Sequence, residues 1–403
     1  MADSGVLPFH LSPRTVDTPT LLVGVTSQET CRAWSARLRI FRDAGFHVVL
    51  VCGPGEYADR AASQAGVERI VVPMRRAIAP FSDLLSLVRL WRLIGRRRPD
   101  LVEFSTPKAG LLGMLAAKLC AVPRRVYFLR GLKLECSAGV KRRILLAAER
   151  LACACAHRVL CNSQSLRAEA HALRLAPDRK LRLLGQGSSI GVDIERFSPG
   201  PSNVRERFRI PRDAPVIGFV GRFTRDKGLP ELIDAFDLIL AALPAARLLL
   251  VGWFDAAEDA VDLGLRARIL ANRRIHCTGF VADTAPYYRA MDLAVLPTWR
   301  EGFPNVVLEA SATGIPVVTT ECTGARDSVV PEVTGLLVPP GYPQAIGEAV
   351  VTLLCDPERR RRMGLAARSW VVGHYSESHV LTLTANYYLS LFEPAPVPEL
   401  QHA

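Results

Sequence analysis

Two glutamates in the second half of the chain, Glu301 and Glu309, stand eight positions apart around a Gly-Phe-Pro loop. The apolar run at 292–297 precedes them and predicts a buried strand of a parallel sheet. The run at 305–313 predicts a helix. In an open α/β sheet, such a strand–loop–helix turn lies at the carboxyl ends of the strands, where ligands bind. The amides of a helix N-terminus suit a phosphate, and a carboxylate beside them can accept hydrogen bonds from sugar hydroxyls.

A second loop carries two cations, Arg222 and Lys227, between Gly221 and Gly228. It follows a predicted strand at 215–221 and precedes a predicted helix at 230–243. Two cations across a short loop can neutralise a diphosphate leaving group without a metal, because arginine makes a forked contact and lysine supplies a compact charge. Two of the residues between them, Arg225 and Asp226, are predicted to be exposed.

These motifs together resemble those of the retaining glycosyltransferases of family 4, of the bacterial surface-polysaccharide type. Glu301-Gly-Phe-Pro-Asn-Val-Val-Leu-Glu-Ala310 is similar to the signature of that family, and so is the Gly-Arg-x4-Lys-Gly loop at 221–228. The segment Gly191-Val-Asp-Ile-Glu-Arg-Phe197 resembles the linker between the two domains of the family. The resemblance covers essentially the whole chain.

The resemblance implies an α/β protein with the GT-B fold, in which two Rossmann-like, doubly wound parallel-sheet domains face a central cleft. An acceptor-binding domain is expected at 1–190 and a nucleotide-sugar-binding domain at 191–375. A last helix, within 376–403, would cross back to the first domain. Strands alternating with helices from residue 20 onward favour the same α/β class.

Specific roles follow from the resemblance. Arg222 and Lys227 would stabilise charge on the departing diphosphate, Glu301 would hold sugar hydroxyls and Glu309 the ribose. Arg222, Lys227 and Glu301 are therefore the expected catalytic residues. The expected donor-binding residues are Gly221, Arg222, Lys227, Glu301, Gly302, Phe303, Pro304, Asn305 and Glu309.

The acceptor or phosphate side is expected in the first half of the chain. Thr106 and Lys108 open a predicted helix in a Pro-Lys-Ala-Gly segment that resembles the acceptor domain of bacterial relatives; a capping threonine and a solvated lysine are the alternative. Arg130 stands where many family members carry a histidine near the donor sugar and phosphates. An arginine can pair with phosphate, but it does not transfer protons near neutral pH. In the family, the leaving phosphate itself is thought to take the acceptor proton.

Charge is unevenly distributed along the chain. Residues 1–185 carry 30 Lys and Arg against 14 Asp and Glu, whereas the remainder carries 21 against 25. The predicted helix at 81–98 ends in several arginines, and Leu84, Leu87, Val88, Trp91 and Ile94 are predicted to form its core-facing side. The alternative is a contact with an anionic membrane surface. The positive excess suggests an undecaprenyl-diphosphate-linked or other glycan acceptor at the inner membrane surface.

Several classes of site and location are disfavoured. The ten cysteines form no C-x2-C pair, so we expect neither a zinc site nor a disulfide framework. We expect the cysteines to pack as small buried hydrophobic residues. No Asp-x-Asp motif occurs, so we expect an enzyme that needs no metal ion. The expected co-substrate is a nucleotide sugar, with a UDP-sugar as the first choice, and no cofactor is expected. Residues 1–17 show no signal-peptide pattern, and no apolar run is long enough to span a membrane. We therefore expect a cytoplasmic enzyme, peripheral at the inner face of the membrane.

Two other classes of function stay open. A sugar-nucleotide 2-epimerase shares the GT-B fold but lacks the Arg-Lys and Glu-x7-Glu set. A non-catalytic sugar- or anion-binding homologue fits the basic first half and the replacement of histidine by Arg130. Nucleic acid is not an expected partner, because the basic clusters lack interleaved aromatic residues.

Overall fold

The computed structural model describes residues 18–75, 77–255 and 259–393. The strands are β1 (Thr20–Gly24), β2 (His47–Cys52), β3 (Glu68–Val71), β4 (Leu101–Ser105), β5 (Arg124–Leu129), β6 (Arg158–Cys161), β7 (Leu181–Leu183), β8 (Val216–Val220), β9 (Arg247–Val251), β10 (Ile275–Cys277), β11 (Leu293–Leu296), β12 (Val317–Thr320) and β13 (Gly335–Val338). The predicted absence of a signal peptide concerns residues 1–17, which lie outside the described residues.

The α-helices alternate with these strands. They are α1 (Ser35–Asp43), α2 (Glu56–Ala65), α3 (Pro80–Arg97), α4 (Pro107–Leu119), α5 (Gly139–Cys155), α6 (Gln164–Ala172), α7 (Val204–Arg207), α8 (Leu229–Ala242), α9 (Leu263–Ala271), α10 (Ala285–Tyr288), α11 (Asn305–Ala312), α12 (Pro343–Cys355), α13 (Pro357–Tyr375) and α14 (Glu377–Ser390). Short 3-10 turns occur between them, among others at Arg225–Lys227. The predicted strands and helices named above are confirmed to within a few residues.

Two sheets with parallel strands carry the fold. The first has seven strands in the order β3-β2-β1-β4-β5-β6-β7, and the second has six in the order β10-β9-β8-β11-β12-β13. In each sheet the chain builds outward in one direction and then crosses to the other side, between β1 and β4 in the first and between β8 and β11 in the second. The carboxyl ends of these strand pairs are the topological switch points, where open α/β sheets bind ligands.

Clustering of contacts divides the chain into two compact units. Within the described residues, the first unit contains 18–75, 77–128, 151–159 and 381–393, and the second contains 129–150, 160–255 and 259–380. The domain limits predicted at residues 190 and 375 stay a prediction. The last helix, α14, places Tyr388 in the first unit, where its ring lies 4.9 Å from that of Phe41.

The first unit has a buried ionic network in its core. Arg37 of α1 donates to Glu103 of β4 at 2.5 Å, and both side chains are almost fully shielded from solvent. The hydroxyl of Tyr388 donates to the same carboxylate oxygen. Removing one partner would leave a buried charge uncompensated, so this network ties α1 and α14 to the centre of the sheet.

The apolar face predicted for α3 is wrong in part. Leu84 and Trp91, assigned to the core, are exposed by 60% and 48%. The fully buried residues are Ser86, Leu90 and Ile94, which lie one helical turn apart on one face. The helix is apolar on two sides, and only packing decides which one the first unit covers.

Cysteines fit the packing prediction only in part. All ten are unbridged, and five are buried: Cys31, Cys52, Cys153, Cys155 and Cys161. Cys136 and Cys355 are exposed, and each is the last residue of its helix. In the described part of the chain, no helix combines the length and the apolar character needed to cross a bilayer.

Candidate functional site

The predicted donor residues gather at the switch point of the second sheet. The loop at 221–228 leaves the end of β8, and the loop at 297–304 leaves the end of β11. These strands are parallel neighbours, with Ile217 paired to Leu293 and Gly218 to Ala294. Their carboxyl ends therefore bring the two charged loops together, although some 75 residues separate them in the chain.

Lys227 and Glu301 are in direct contact. The Lys227 Nζ atom lies 2.5 Å from Glu301 Oε1, and less than a fifth of each side chain is exposed. Lys227 ends a 3-10 turn that Gly228 closes at a φ of 72°, and a Cβ atom on Gly228 would collide with the carbonyl oxygen of Pro297. Glycine at 228 is thus what lets the two loops approach.

Arg222 lies on the same edge and is held by acids. Its Nη1 donates to Asp255 Oδ2 at 2.8 Å, and its Nη2 lies 4.0 Å from Asp226. Burial alone would lower the pKa of Arg222, but Asp255, Asp226 and Asp259 outweigh it and raise the pKa. A third of this side chain is exposed, so an anionic ligand can reach the guanidinium.

Asp226 was predicted to be exposed, and this is wrong. It is buried, accepts from Thr224 at 2.6 Å, and pairs with Arg300 at 3.1 Å. Burial would raise the pKa of Asp226, but Lys227, Thr224, Arg300 and Arg222 together lower it. An aspartate in a polar loop gives no sequence signal for this burial. The predicted exposure of Arg225 is confirmed.

The loop from Glu301 to Pro304 packs closely against the backbone of a second loop, at Arg130 and Gly131. A Cβ atom on Gly302 would lie 2.2 Å from the carbonyl oxygen of Arg130 and 2.9 Å from the nitrogen of Gly131. Phe303 is buried in the core of the second unit, 5.2 Å from the ring of Tyr375. The side chain of Phe303 anchors the loop in the core, so Phe303 can offer a ligand only its backbone.

The helix α11 begins at Asn305, directly after Pro304. Its first amides therefore face the same edge as Lys227 and Glu301, where a helix N-terminus favours negative charge. The Asn305 Oδ1 atom is shielded from solvent and accepts no hydrogen bond from the described residues. The strand–loop–helix prediction for this stretch is confirmed.

Glu309 lies one helical turn further along α11. Its Oε2 accepts from the hydroxyl of Tyr288 at 2.9 Å and from Thr284 at 3.4 Å. Burial raises the pKa of Glu309 to about 7, although Tyr288, Arg196 and Thr284 favour the charged form. The side chain is half-buried rather than fully enclosed, so its carboxyl group can exchange protons near neutral pH.

Thr106 and Lys108 lie in the first unit, at the switch point between β1 and β4. The hydroxyl groups of Thr106 and Thr26 are 2.7 Å apart, and the Lys108 ammonium donates to Asp83 at 2.6 Å and to the carbonyl of Ala77. Both side chains are therefore engaged inside the first unit. Their acceptor role stays a prediction.

Arg130 follows β5 and belongs to the second unit. Its Nη2 donates to the hydroxyl of Ser189 at 3.0 Å, while its carbonyl oxygen packs against Gly302. The structure thus brings the backbone of Arg130 beside the loop that contains Gly302. Its role toward phosphate stays a prediction.

Comparison with known proteins identifies the family. Residues 27–187 match the family model of the glycosyl transferase 4-like domain, and residues 214–356 match that of glycosyl transferases group 1. The chain is 38% identical over 307 residues to the capsular polysaccharide biosynthesis glycosyltransferase CapM of Staphylococcus aureus, covering 76% of this chain and 80% of that protein. The chain belongs to this glycosyltransferase family.

A further relative of the chain is the UDP-Gal:alpha-D-GlcNAc-diphosphoundecaprenol alpha-1,3-galactosyltransferase of Escherichia coli. It is 27% identical over 310 residues, covering 73% of this chain and 76% of that protein. Among solved structures, Anabaena HepE in complex with UDP-glucose superposes with a TM-score of 0.76 at 20% identity, covering 93% and 100% of the two chains. Sucrose-phosphate synthase from Thermosynechococcus elongatus gives 0.77 at 22% identity, covering 93% and 99%. These likenesses show the fold, and the GT-B prediction is confirmed.

Proposed function

We propose that this glycosyltransferase moves a hexose or N-acetylhexosamine from a nucleoside diphosphate sugar to a lipid-linked saccharide and retains the anomeric configuration. The observation that carries the proposal is the contact of Lys227 with Glu301, with Arg222 on the same edge, at the switch point of the second sheet. The ammonium group of Lys227, for the phosphates, and the carboxylate of Glu301, for the sugar hydroxyls, thereby lie side by side. A ligand that joins a sugar to a diphosphate fits this arrangement.

The roles of the residues follow from charge. Arg222 and Lys227 neutralise the diphosphate as it departs, which is the electrostatic contribution that matters most in such a transition state. Their two positive charges do this without a metal ion. Glu301 holds hydroxyl groups of the transferred sugar and Glu309 those of the ribose, while the amides of the loop from Gly302 hold sugar and phosphate.

The proton of the acceptor hydroxyl goes to the departing phosphate in this scheme. Arg130 stays charged near neutral pH and takes no part as a base. Its backbone carbonyl lies against Gly302, and its guanidinium, which donates to Ser189, supplies positive charge toward the phosphates. The new glycosidic bond then forms on the face from which the phosphate leaves, so the configuration is retained.

The choice of a UDP-sugar and a lipid-linked acceptor is supported by two similar proteins. HepE was solved with UDP-glucose, and the E. coli relative is named for UDP-galactose and a diphosphoundecaprenol acceptor. The name of CapM supports a place in the assembly of a surface polysaccharide.

A peripheral position on the membrane is supported by α3. Beside the arginines of this helix, Phe81, Leu84, Leu85 and Trp91 are exposed by 92%, 60%, 50% and 48%. They occupy positions i, i+3, i+4 and i+10 of the helix, counted from Phe81, which places them on one side of it. Apolar and aromatic side chains flanked by arginines suit an anionic lipid surface.

The transfer is tested by incubating the purified protein with UDP-, GDP- and dTDP-sugars, a lipid-diphosphate-linked saccharide and a chelator. We expect release of one nucleoside diphosphate that depends on the acceptor, and a product of retained configuration by NMR. Lys227→Ala should lose activity by at least about a hundredfold, whereas Arg225→Ala, an exposed cation of the same loop, should keep it.

The alternatives give different results in this assay. A sugar-nucleotide 2-epimerase would consume the donor without an acceptor, and a binding protein would release no nucleotide. Loss of activity with the chelator, restored by a divalent cation, would refute metal independence alone.

The membrane position is tested with vesicles that contain anionic lipid, at low salt. We expect sedimentation with the vesicles, weakened in the double variant Phe81→Ser/Trp91→Ser. The control is Leu263→Ser, a leucine of the second unit that is exposed by 82%. Equal sedimentation of all three proteins would refute a role for α3.

A further inference from the structure

Three cations at the candidate diphosphate site each pair with an acid of the same unit. Arg222 pairs with Asp255 at 2.8 Å and Lys227 with Glu301 at 2.5 Å. Arg300, which follows β11, pairs with the buried Asp226 at 3.1 Å. A diphosphate that approaches Arg222 and Lys227 therefore meets cations that already have carboxylate partners.

The three acids differ in their surroundings. Asp226 is buried and joins Thr224 to Arg300, so it has a structural task. Glu301 is part of the loop that the proposed function assigns to the sugar. Asp255 pairs with Arg222 where both side chains reach solvent, since about a fifth of the Asp255 side chain and a third of the Arg222 side chain are exposed.

Backbone pairing between two loops sets the position of Asp255. The amide of Phe223 donates to the carbonyl of Trp253 at 2.8 Å, and Phe223 and Phe254 form a parallel bridge with their rings 5.1 Å apart. Asp255 comes directly after Phe254 and so stands beside the loop that carries Arg222. This register, rather than a chance side-chain conformation, delivers the carboxylate to the guanidinium.

A carboxylate and a phosphate both bind the forked face of a guanidinium, so they compete for it. Both are anions, and a carboxylate left beside the bound diphosphate would repel it. When the nucleoside diphosphate leaves, the same carboxylate can re-form its ion pair with the guanidinium and oppose rebinding of the diphosphate.

We propose that Asp255 is a positioning residue that competes with the donor diphosphate for Arg222, which limits the affinity for the nucleoside diphosphate and speeds its release. The proposal rests on the proposed function of the same site. It gives Asp255 an effect opposite in sign to that of Lys227: removing the acid should tighten binding.

The test measures the affinity for UDP by calorimetry and its release by stopped flow, for the wild type and for Asp255→Ala and Asp255→Asn. We expect UDP to bind about threefold to tenfold more tightly to the alanine variant, the effect of losing one partly exposed ion pair. Release should slow by a similar factor, and kcat and KM should fall together. Asp255→Glu should restore the wild-type values, and the affinity for uridine, which has no phosphate, should not change.

The matched control is Asp237→Ala. Asp237 also pairs with an arginine, Arg268, at 2.5 Å, but on the outer surface of α8 and α9. Asp237→Ala removes one negative charge from the same unit as Asp255→Ala does. If net charge alone were the cause, UDP would bind more tightly to both variants by the same factor, and that result would overturn the proposal.

Unchanged or weaker UDP binding in folded Asp255→Ala and Asp255→Asn would also overturn it, since Asp255 would then only orient Arg222 or do nothing. A folded wild-type protein that binds no nucleoside diphosphate would refute the proposed function itself, which is a distinguishable result.

Discussion

Replacing Glu309 by glutamine removes a carboxyl group that burial holds partly protonated near neutral pH. The pKa of Glu309 is about 7 instead of its ordinary 4.5. The folded protein therefore binds this proton more tightly than the unfolded chain does. The stabilising contribution of the group is complete below about pH 4.5 and is lost as pH rises through about 7.

The size of this effect follows from the shift. Each pKa unit corresponds to about 1.4 kcal/mol, so the shift is worth roughly 3 kcal/mol, and about 2 kcal/mol after allowance for the half-buried position. Glutamine has the same shape and can still accept from Tyr288, but it does not ionise. We expect Glu309→Gln to match the wild type near about pH 5 and to exceed its free energy of unfolding by about 2 kcal/mol near pH 8.

Urea unfolding, followed by circular dichroism across this pH range, measures the difference. Glu348→Gln is the control, because it makes the same substitution at an exposed glutamate of α12. Parallel pH profiles for Glu309→Gln and the wild type would refute the reasoning from burial.

The same group links pH to donor binding if Glu309 holds the ribose. An ionised carboxylate is the stronger acceptor of hydrogen bonds. The affinity of the wild type for UDP should therefore rise with pH through about 7, while that of Glu309→Gln should stay flat and weaker. A flat wild-type profile would remove Glu309 from the ribose site.

Two further predictions concern packing. Glu103→Gln should lower the free energy of unfolding by about 3–5 kcal/mol, because it leaves the buried Arg37 without its counter-ion. Tyr388→Phe removes one hydrogen bond to the same carboxylate and should lower it by only about 1.5–3 kcal/mol. Urea unfolding measures both variants, and the reverse order of the two losses would contradict the network. Gly302→Ala should abolish binding of UDP measured by calorimetry, because its Cβ would meet the carbonyl of Arg130. Gly373→Ala of α13 should bind normally, because among the described residues nothing beyond its own stretch of helix lies within 4 Å of the added Cβ. Normal binding by both variants would refute the close packing of the loop.

Local features of the site could be predicted from the sequence because they depend on neighbours in the chain. Buried parallel strands are apolar runs, and glycine or proline marks their ends, so β8, β11 and α11 were found close to their observed limits. The motifs of Arg222, Lys227 and Glu301 follow directly after these strands. Strand ends and motif positions together predicted that these residues share one edge of a sheet.

The tertiary structure alone decided which partner each charged group has. Asp255 stands 33 residues from Arg222 in the chain, and Lys227 stands 74 from Glu301, and only the order of strands in the sheet sets these distances. The burial of Asp226 arises in the same way. A polar residue in a loop has the same local sequence whether the loop faces solvent or folds over a neighbouring strand.

The clearest division is seen in α3 and Glu309. The sequence determined that 81–98 is helical and that it has more apolar residues than one face can hold, but packing chose Leu90 and Ile94 for the core and left Phe81 and Trp91 exposed. The sequence determined that Glu309 stands one helical turn after the Gly-Phe-Pro loop. Only the enclosure of its carboxyl group by other elements set its pKa near 7, because the cost of ionisation depends on the solvent that those elements exclude.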